Sequence, residues 1–318
     1  MPIYDMKNKI DLHIHTTKSD GTKTPKEVLI EAEQLGLSRI AITDHESIEA
    51  YDEIKENKNL FRGIIIPGIE LKTYCQGREI ELLGYGISLE DMKRKLPLLY
   101  QSKEEINKEY LKAIIDVLTK EGIIISKSVE KQYMETTVQP AKFITKIILD
   151  DKINLEHNTN ILFLDNIKHK NNESLYRGWL SNPKSRFYVN FKGYPDYEEA
   201  IELIQKSRGK VFIPHIFQYA DASQEILEKL LQSGKIDGIE CYYPTFTKEQ
   251  TQYLLELCTK KHIFVSGGSD YHGANKKNEL GRGIGNNLYV PEEKVLIWTN
   301  MLYNREEKVK KDREDFII

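Results

Sequence analysis

Hydrophobic residues near the start of the chain follow two alternating patterns. Short apolar runs rich in branched residues predict strands, and the segments between them carry apolar residues at helical spacing. The first predicted helix has Thr24 as its N-cap and Pro25 at its first position. In chain order the segments are IDLHI, PKEVLIEAEQLGL, RIAIT, SIEAYDEIKEN and GIIIPGIE. This strand and helix alternation favours a parallel sheet or barrel.

The pattern changes after EIELLGYGI, residues 79–87, which is predicted to be a further strand or a hairpin arm. Residues 89–165 are rich in Lys and Glu and mainly helical in pattern, and 166–186 resemble a polar loop. Alternation returns from Asp196, with helices and strands in the order YEEAIELIQKS, KVFIP, QEILEKLLQS, DGIEC, KEQTQYLLELCTK and HIFVSGGSD. We therefore predict one discontinuous α/β domain, residues 1–88 and 192–318, with a mainly helical insertion at 89–191.

Charge and composition narrow the class of protein. The chain has 318 residues, and its 46 basic and 49 acidic side chains give a formal net charge of -3, so no global field marks a nucleic-acid or membrane-surface protein. The N-terminus lacks a basic region followed by an apolar run, and no segment approaches the ~20 apolar residues of a spanning helix. We expect a soluble, cytoplasmic protein with reduced thiols at Cys75, Cys241 and Cys258.

Candidate chemistry lies where the predicted strands end. His13 and His15 are two positions apart in a strand, so both side chains point to the same face as a chelating pair. Because the carboxyl ends of parallel strands share one side of an α/β domain, polar residues after different strands should meet there. These residues are Asp20, Asp44, His45, Glu70, Glu81, His215, Glu240, Asp270 and His272.

The donor types predict a metal centre. Imidazole and carboxylate without thiolate suit Zn, Mn or Fe. Four to five histidines with four or more carboxylates exceed one tetrahedral ion, so two or three metals sharing a bridging carboxylate fit better. Such a cluster lowers the pKa of water and neutralises phosphoryl charge, which favours hydrolysis.

Four of these residues have an alternative structural role. Asp20 is either a ligand or a cap of the turn before Gly21. Asp44 is better explained as a partner that orients an imidazole, or as a helix cap, than as a ligand. Glu81 is either a ligand or a solvated strand residue, and Glu240 either lies near the site or forms an ordinary salt bridge.

The separated motifs together resemble those of the PHP (polymerase and histidinol phosphatase) superfamily. The motifs are HIHTTKSDG, ITDHES, GIE, LLGYG, Pro214 with His215, GIECYYP and GGSDYHG. The resemblance is closest to the TrpH-like branch, which has nucleotide phosphatase and RNA exonuclease members. It implies a distorted (β/α)7 barrel of PHP type with a helical insertion. It also implies two or three Mn, Fe or Zn ions and phosphoester hydrolysis by a metal-bridging hydroxide held by Glu70, His215 and Asp270.

The resemblance also assigns ligands. His13, His15, Glu70 and Asp270 correspond to the ligands of one metal, and Glu70 bridges to a further metal held with His215. Asp20, His45 and His272 correspond to the ligands of another metal.

The sequence departs from that branch at two places. Glu81 stands where a histidine ligand is common; as a harder, anionic ligand it would shift the preference towards Mn or Fe, or weaken the third site. The segment VQPAK, residues 138–142, replaces an Arg-Pro-His sequence that recognises substrate phosphate in nucleotidase-type relatives. Lys142, Lys192 and Arg282 are candidate phosphate contacts in its place.

The predicted function is hydrolysis of a phosphomonoester or terminal phosphodiester of a nucleotide or short oligonucleotide. A histidinol-phosphate-type phosphatase is an alternative with the same metals and a different pocket. A binding or scaffold protein with a degenerate metal site is the alternative from another class. Tyr242 and Tyr243 either stack on a base of the substrate or simply pack.

Overall fold

The computed structural model describes residues 9–302, apart from 135, 137, 151–174 and 183. It divides into two compact units. The first, called the barrel unit, runs up to Tyr100 and resumes at Tyr194; the second, called the insertion unit, spans Gln101–Gly193. The barrel unit therefore continues past residue 88. In the described part of the chain, no helix combines the length and apolar character needed to cross a membrane.

The barrel unit contains seven strands in one sheet. The strands are β1 Ile10–Ile14, β2 Arg39–Ile42, β3 Ile64–Cys75, β4 Arg78–Tyr85, β5 Lys210–Ile213, β6 Gly238–Tyr242 and β7 Phe264–Gly267. The labelled helices, of which α4, α5 and α6 belong to the insertion unit, are α1 Pro25–Leu35, α2 Ala50–Asn57, α3 Leu89–Leu99, α4 Lys103–Lys120, α5 Val129–Tyr133, α6 Pro140–Asp150, α7 Tyr197–Lys206, α8 Ser223–Gln232 and α9 Lys248–Lys261. Residues 292–302 are also helical.

The sheet is a nearly closed barrel. Its strands follow chain order, with parallel pairs at β1–β2–β3 and β5–β6–β7, and with β4 antiparallel to β3 and β5. Beyond β7, Tyr271 forms a parallel bridge with Ile14, and its carbonyl accepts a hydrogen bond of 2.8 Å from the His15 backbone. The predicted distorted (β/α)7 barrel is confirmed.

The hairpin of β3 and β4 departs from the parallel pattern. Gln76 and Gly77 have φ values of 52° and 76°, the left-handed conformation that suits a tight two-residue hairpin turn. β3 continues to Cys75 instead of stopping at Glu70, because it pairs with β4 from Gly68 to Cys75. Glu70 lies beyond the register of β3 with β2 and forms an isolated parallel bridge with His45. Glu81 lies inside β4.

Local sequence signals explain where helices start. Thr24 forms the predicted cap of α1, in a capping box with Glu27 and with Pro25 at the first position. The predicted helix SIEAYDEIKEN begins only at Ala50. Glu49, which precedes it, makes no capping side-chain hydrogen bond.

The insertion unit has its own apolar core. Leu111 and Ile114 of α4 pack with Ile144 and Ile148 of α6. The prediction of a polar loop over 166–186 is wrong for Tyr176–Leu180, which forms a π-helical turn. Leu175, just before this turn, and Leu180, its last residue, are buried in the core of the insertion unit. The earlier part of that segment, and residues 151–165 of the predicted helical region, lie outside the described residues.

An aromatic cluster anchors the helical residues 292–302 to the sheet. The Trp298 ring lies 5.3 Å from Tyr85 and 4.8 Å from Phe212, measured between centroids, and its indole N–H donates to the Val265 carbonyl at 2.9 Å. Trp298 is fully buried. It therefore joins helix and strands through both packing and a hydrogen bond.

Trp298→Ala should lower the free energy of unfolding by about 3–5 kcal/mol, because it leaves a cavity and an unpaired carbonyl. Urea denaturation followed by circular dichroism measures the change. Ile297→Ala is the matched control on the same helix; Ile297 is 67% exposed, so a change within about 0.5 kcal/mol is expected. Equal effects of the two substitutions would contradict this account of the core.

Candidate metal centre

The barrel unit brings all nine predicted ligand residues to one place. Within the described residues, four groups of side chains have ligand atoms within 4.8 Å of one another. The groups are His15 with Asp20, His45 and His272; His13 with His15 and Asp270; His13 with Glu70 and His215; and His45 with Glu70 and Glu81. Because members recur between groups, the arrangement is one connected centre.

Glu70 is the carboxylate at the middle of this centre. Its Oε2 lies 3.1 Å from His15 Nε2, 3.3 Å from His13 Nε2 and 3.4 Å from His45 Nδ1. Its Oε1 lies 3.0 Å from His215 Nε2. The two oxygens of Glu70 thus face different imidazoles, as a carboxylate shared between two metals would.

Two aspartates approach the centre from the loops after β1 and β7. Asp270 Oδ1 lies 3.5 Å from His15 Nε2 and 3.3 Å from His272 Nδ1. Asp20 Oδ1 lies 3.1 Å from His272 Nε2, and Asp20 is half-exposed. Asp20 therefore faces an imidazole of the centre; its role as a ligand stays a prediction.

Glu81 also faces the centre. Its Oε2 lies 3.4 Å from His215 Nε2 and its Oε1 lies 3.8 Å from His45 Nδ1. Burial, together with the charge of Glu70, raises the pKa of its carboxyl to about 7. Glu79, two positions earlier, is exposed. Glu81 is therefore a part-buried residue beside the centre, and its role as a ligand stays a prediction.

The donor atoms fit divalent metals. The nitrogens His15 Nε2, His45 Nδ1 and His272 Nε2 are buried and make no hydrogen bond with any described residue. His15 Nε2 and His272 Nε2 nevertheless lie 3.1 Å from carboxylate oxygens. Nitrogen and oxygen donors that face one another without bonding are the arrangement that a cation satisfies.

The buried negative charge of the centre also favours a bound cation. Burial works against an ionised Glu70, yet the neighbouring His13 and His45 outweigh it and hold the pKa of this carboxyl well below its usual range. Asp270 behaves in the same way: burial opposes its charge, and His13 and His15 lower its pKa. Several anionic groups share a volume from which water is largely excluded, which is costly unless positive charge offsets it.

Glu240 fixes the orientation of two histidines. Its Oε1 accepts a hydrogen bond from His13 Nδ1 at 2.9 Å, and its Oε2 accepts one from the His215 backbone at 2.8 Å. With Nδ1 occupied as a donor, His13 presents Nε2 to Glu70 and Asp270. Two alternatives for Glu240 follow from the sequence, a residue near the site and an ordinary salt bridge. In the structure Glu240 contacts His13 and His215, so it lies near the site.

Asp44 organises the loop that carries Asp20. It accepts hydrogen bonds from the Thr16 backbone at 2.6 Å, from the Thr16 hydroxyl at 2.7 Å and from the Ser19 hydroxyl at 2.6 Å. It caps no helix, since α2 begins at Ala50, so the predicted helix cap is wrong. Its hydrogen bonds go to hydroxyls and backbone; the Ser19 hydroxyl that donates to it lies 3.5 Å from His15 Nδ1, so Asp44 acts on an imidazole only through Ser19.

Asp11 is a buried carboxylate that sequence analysis missed. It accepts from the Ser269 backbone at 2.8 Å, the Ser269 hydroxyl at 2.6 Å and the Gly281 backbone at 2.7 Å. Burial raises its pKa to about 6, and these hydrogen bonds oppose the shift. Asp11 ties β1 to the segment after β7, which carries Asp270 and His272. In the sequence it looks like an ordinary polar position at the start of a strand.

Backbone geometry at the strand ends supports the centre. His215 and Asp270 have positive φ values of 22° and 53°, uncommon for residues with side chains and typical of functional positions. A Cβ on Gly268 would lie 2.4 Å from the His13 backbone nitrogen, so this glycine permits β7 to approach β1 closely. The GGSD motif therefore serves the metal centre.

The three predicted phosphate contacts lie in different places. Lys142, with its Nζ 5.4 Å from the Tyr176 ring, and Lys192 belong to the insertion unit. Arg282 belongs to the barrel unit, lines a cavity of about 360 Å³ and has Nη1 3.9 Å from Glu279. The structure brings none of these three into the groups of ligand atoms described above.

Two further groups hold Asp270. The Tyr243 hydroxyl donates to Asp270 Oδ2 at 2.7 Å, and Lys276 Nζ donates to the same oxygen at 2.6 Å. Asp270 Oδ1 is therefore the oxygen that faces the histidines. Sequence analysis suggested base stacking or packing for Tyr243 and did not identify Lys276. The hydrogen bond of Tyr243 to Asp270 is a third role, which the sequence did not predict.

This fold and this set of donors define a known class of protein. The sequence pattern of the PHP domain matches residues 11–235, more than half of the chain. The chain belongs to the PHP domain family and is a metal-dependent phosphoester hydrolase. The predicted superfamily is confirmed; the TrpH-like branch remains an interpretation.

Individual proteins are similar along most of their length. A "5'-3' exoribonuclease" of Haemophilus influenzae is 26% identical over 296 residues, which cover 92% of this chain and 99% of that protein. A "phosphoribosyl 1,2-cyclic phosphate 1,2-diphosphodiesterase" of Eggerthella lenta is 25% identical over 267 residues, covering 83% and 94%. The solved structure of a putative metal-dependent phosphoesterase from Bifidobacterium adolescentis shares the fold, with a TM-score of 0.55, 23% identity, and coverage of 87% of this chain and 92% of that one.

Glu70→Gln should reduce the metal that copurifies with the protein by at least one ion per chain. The amide keeps the volume of Glu70 but loses the charge and one acceptor oxygen between the imidazoles. Elemental analysis of protein purified without chelators measures the content. Glu79→Gln is the matched control, an exposed glutamate of β4, and should keep the parental content. Parental content in Glu70→Gln would contradict a metal-bridging role.

Glu240→Gln should weaken metal binding by about 10–100-fold, the usual effect of removing a carboxylate that orients a ligating histidine. The amide can still accept from one partner, so the fold should persist. Competition with a coloured chelator measures the affinity, and circular dichroism reports folding. An affinity equal to that of the parent would show that Glu240 does not set the orientation of His13.

Proposed function

We propose that this protein hydrolyses a phosphate ester at the end of a nucleotide or short oligonucleotide. The observation that carries the proposal is the placement of Glu70, whose two oxygens contact four imidazoles in a buried centre. We also propose that the segments 1–88 and 192–318 supply the catalytic domain. The part of the chain in 89–191 is then an insertion within it.

The residues that would hold the ions follow from the four groups of ligand atoms. We propose two or three divalent metals, of Mn, Fe or Zn, that lower the pKa of a water molecule and neutralise charge on phosphoryl oxygens. The shared members His13, His15, His45 and Glu70 keep neighbouring positions close together. Glu81 adds a harder, anionic donor, which favours Mn or Fe over Zn at the position that it shares with His45.

The other residues of the centre prepare it before substrate arrives. Glu240 holds His13 in one tautomer, and Tyr243 and Lys276 hold Asp270 with one oxygen directed at the histidines. Asp20 is half-exposed while His13, His15 and Glu70 are buried. We infer that a phosphoryl group enters from the side of Asp20.

The similar proteins support a nucleotide-type substrate. The Haemophilus relative is a 5'-3' exoribonuclease, and the Eggerthella relative is a phosphoribosyl 1,2-cyclic phosphate 1,2-diphosphodiesterase. The chain has a net charge of -3, so no global positive field marks it as a binder of whole polynucleotides. A small ester or a chain end, held by the metal centre, fits both facts.

A turnover panel tests the proposal. Manganese-loaded protein should release product from a 5'-phosphorylated oligoribonucleotide or a nucleoside bisphosphate faster than from histidinol phosphate. The variant carrying both His13→Ala and His15→Ala should fall to background while circular dichroism stays unchanged. Preference for histidinol phosphate would support the alternative phosphatase. A metal-loaded protein that hydrolyses no ester would support the scaffold alternative.

A further inference from the structure

Lys72 lies on the face of the β3–β4 hairpin that carries the metal centre. It is two positions after Glu70 in β3, so the two side chains point to the same face. In the antiparallel register Lys72 is directly opposite Glu81, and side chains of such a pair are neighbours. The hairpin therefore presents two carboxylates and one ammonium group together.

Lys72 is half-buried, and a lysine side chain carries a positive charge at neutral pH. The backbone N–H of Lys72 also donates to Glu46 Oε1 at 2.6 Å, which fixes the strand beside this carboxylate.

Glu81, the cross-strand neighbour of Lys72, belongs to the same group of ligand atoms as His45 and Glu70. Lys72 therefore lies beside the part of the centre that this group forms.

The ammonium group of Lys72 has no anionic partner among the described residues. Its Nζ lies 5.9 Å from the centroid of the Tyr194 ring, and none of the described carboxylates is within 4.0 Å of it. Two other lysines of the barrel unit form ion pairs: Lys276 lies 2.6 Å from Asp270, and Lys210 lies 2.9 Å from Asp237. A half-buried cation that retains its donors beside a phosphoesterase centre is suited to an anionic ligand.

We propose that Lys72 binds a phosphate oxygen of the substrate at the metal centre. This inference rests on the proposed function and adds a substrate-binding residue to it. The Asp20, Glu70, Glu81 and Asp270 carboxylates repel a phosphate, and Lys72 supplies positive charge on the same hairpin face as two of them. Its three donors can follow a phosphate oxygen without a fixed geometry.

Binding of inorganic phosphate to the manganese-loaded protein, measured by calorimetry, tests the proposal. Lys72→Gln should weaken phosphate binding by about 10–100-fold, the usual effect of losing a hydrogen bond to a charged group, while elemental analysis shows unchanged metal. Lys72→Arg should retain most of the affinity because it retains the charge. Lys210→Gln is the matched control, since Lys210 is also a half-buried strand lysine beside an aromatic ring, 5.1 Å from Phe264. It should bind phosphate like the parent.

Loss of metal from Lys72→Gln would show that Lys72 supports the metal ligands instead of contacting phosphate, and would overturn the proposal. Parental phosphate binding by Lys72→Gln would overturn it as well.

Ester hydrolysis by the parent protein, measured beside Lys72→Gln, distinguishes failure of the Lys72 proposal from failure of the proposed function. If the parent hydrolyses esters and Lys72→Gln has an unchanged KM, only the role of Lys72 fails. If the metal-loaded parent hydrolyses no ester, the proposed function fails. Both the proposed function and the role of Lys72 are supported if the parent hydrolyses esters and if Lys72→Gln raises KM by about the same factor as it weakens phosphate binding.

Discussion

The structure depends on the cost of placing ionisable groups around the buried carboxylate of Glu70. Four imidazoles from β1, from the loop after it and from the loops after β2 and β5 contact this one group. Such a concentration is tolerated only where each group is held by a partner or by a cation. Three further buried carboxylates stabilise the segments that carry the ligands, and each accepts two or more hydrogen bonds from them. These carboxylates are Glu240, Asp44 and Asp11.

The hairpin of β3 and β4 supplies what parallel strands alone could not. A parallel strand delivers polar side chains mainly at its carboxyl end. In the hairpin, both strands run past that edge, so residues in their middle reach the centre. Glu70, Lys72 and Glu81 all arrive in this way. The antiparallel interruption of the barrel is therefore part of how the centre acquires its charge.

The strands and the barrel could be predicted well from the sequence, and the nine candidate ligand residues meet in one place, because period and motif order are local signals. His13 and His15 follow from alternation in one strand, and Thr24 and Pro25 from cap chemistry. Asp11 and Lys72 could not be found in this way, since their importance depends on which residues of distant strands face them. The buried turn at Tyr176–Leu180 was missed because its polar neighbours hide two leucines whose burial is decided by helices far away in the chain.

The near-closure of the barrel joins the first strand to the segment after the last. His13 and His15 meet Asp270 and His272 across the junction where Tyr271 bridges Ile14. During synthesis on the ribosome, a chain that has exposed its first two histidines still lacks the other half of these groups for more than two hundred residues. The two groups of ligand atoms that contain Asp270 or His272 are therefore complete only when almost the whole barrel sequence has emerged.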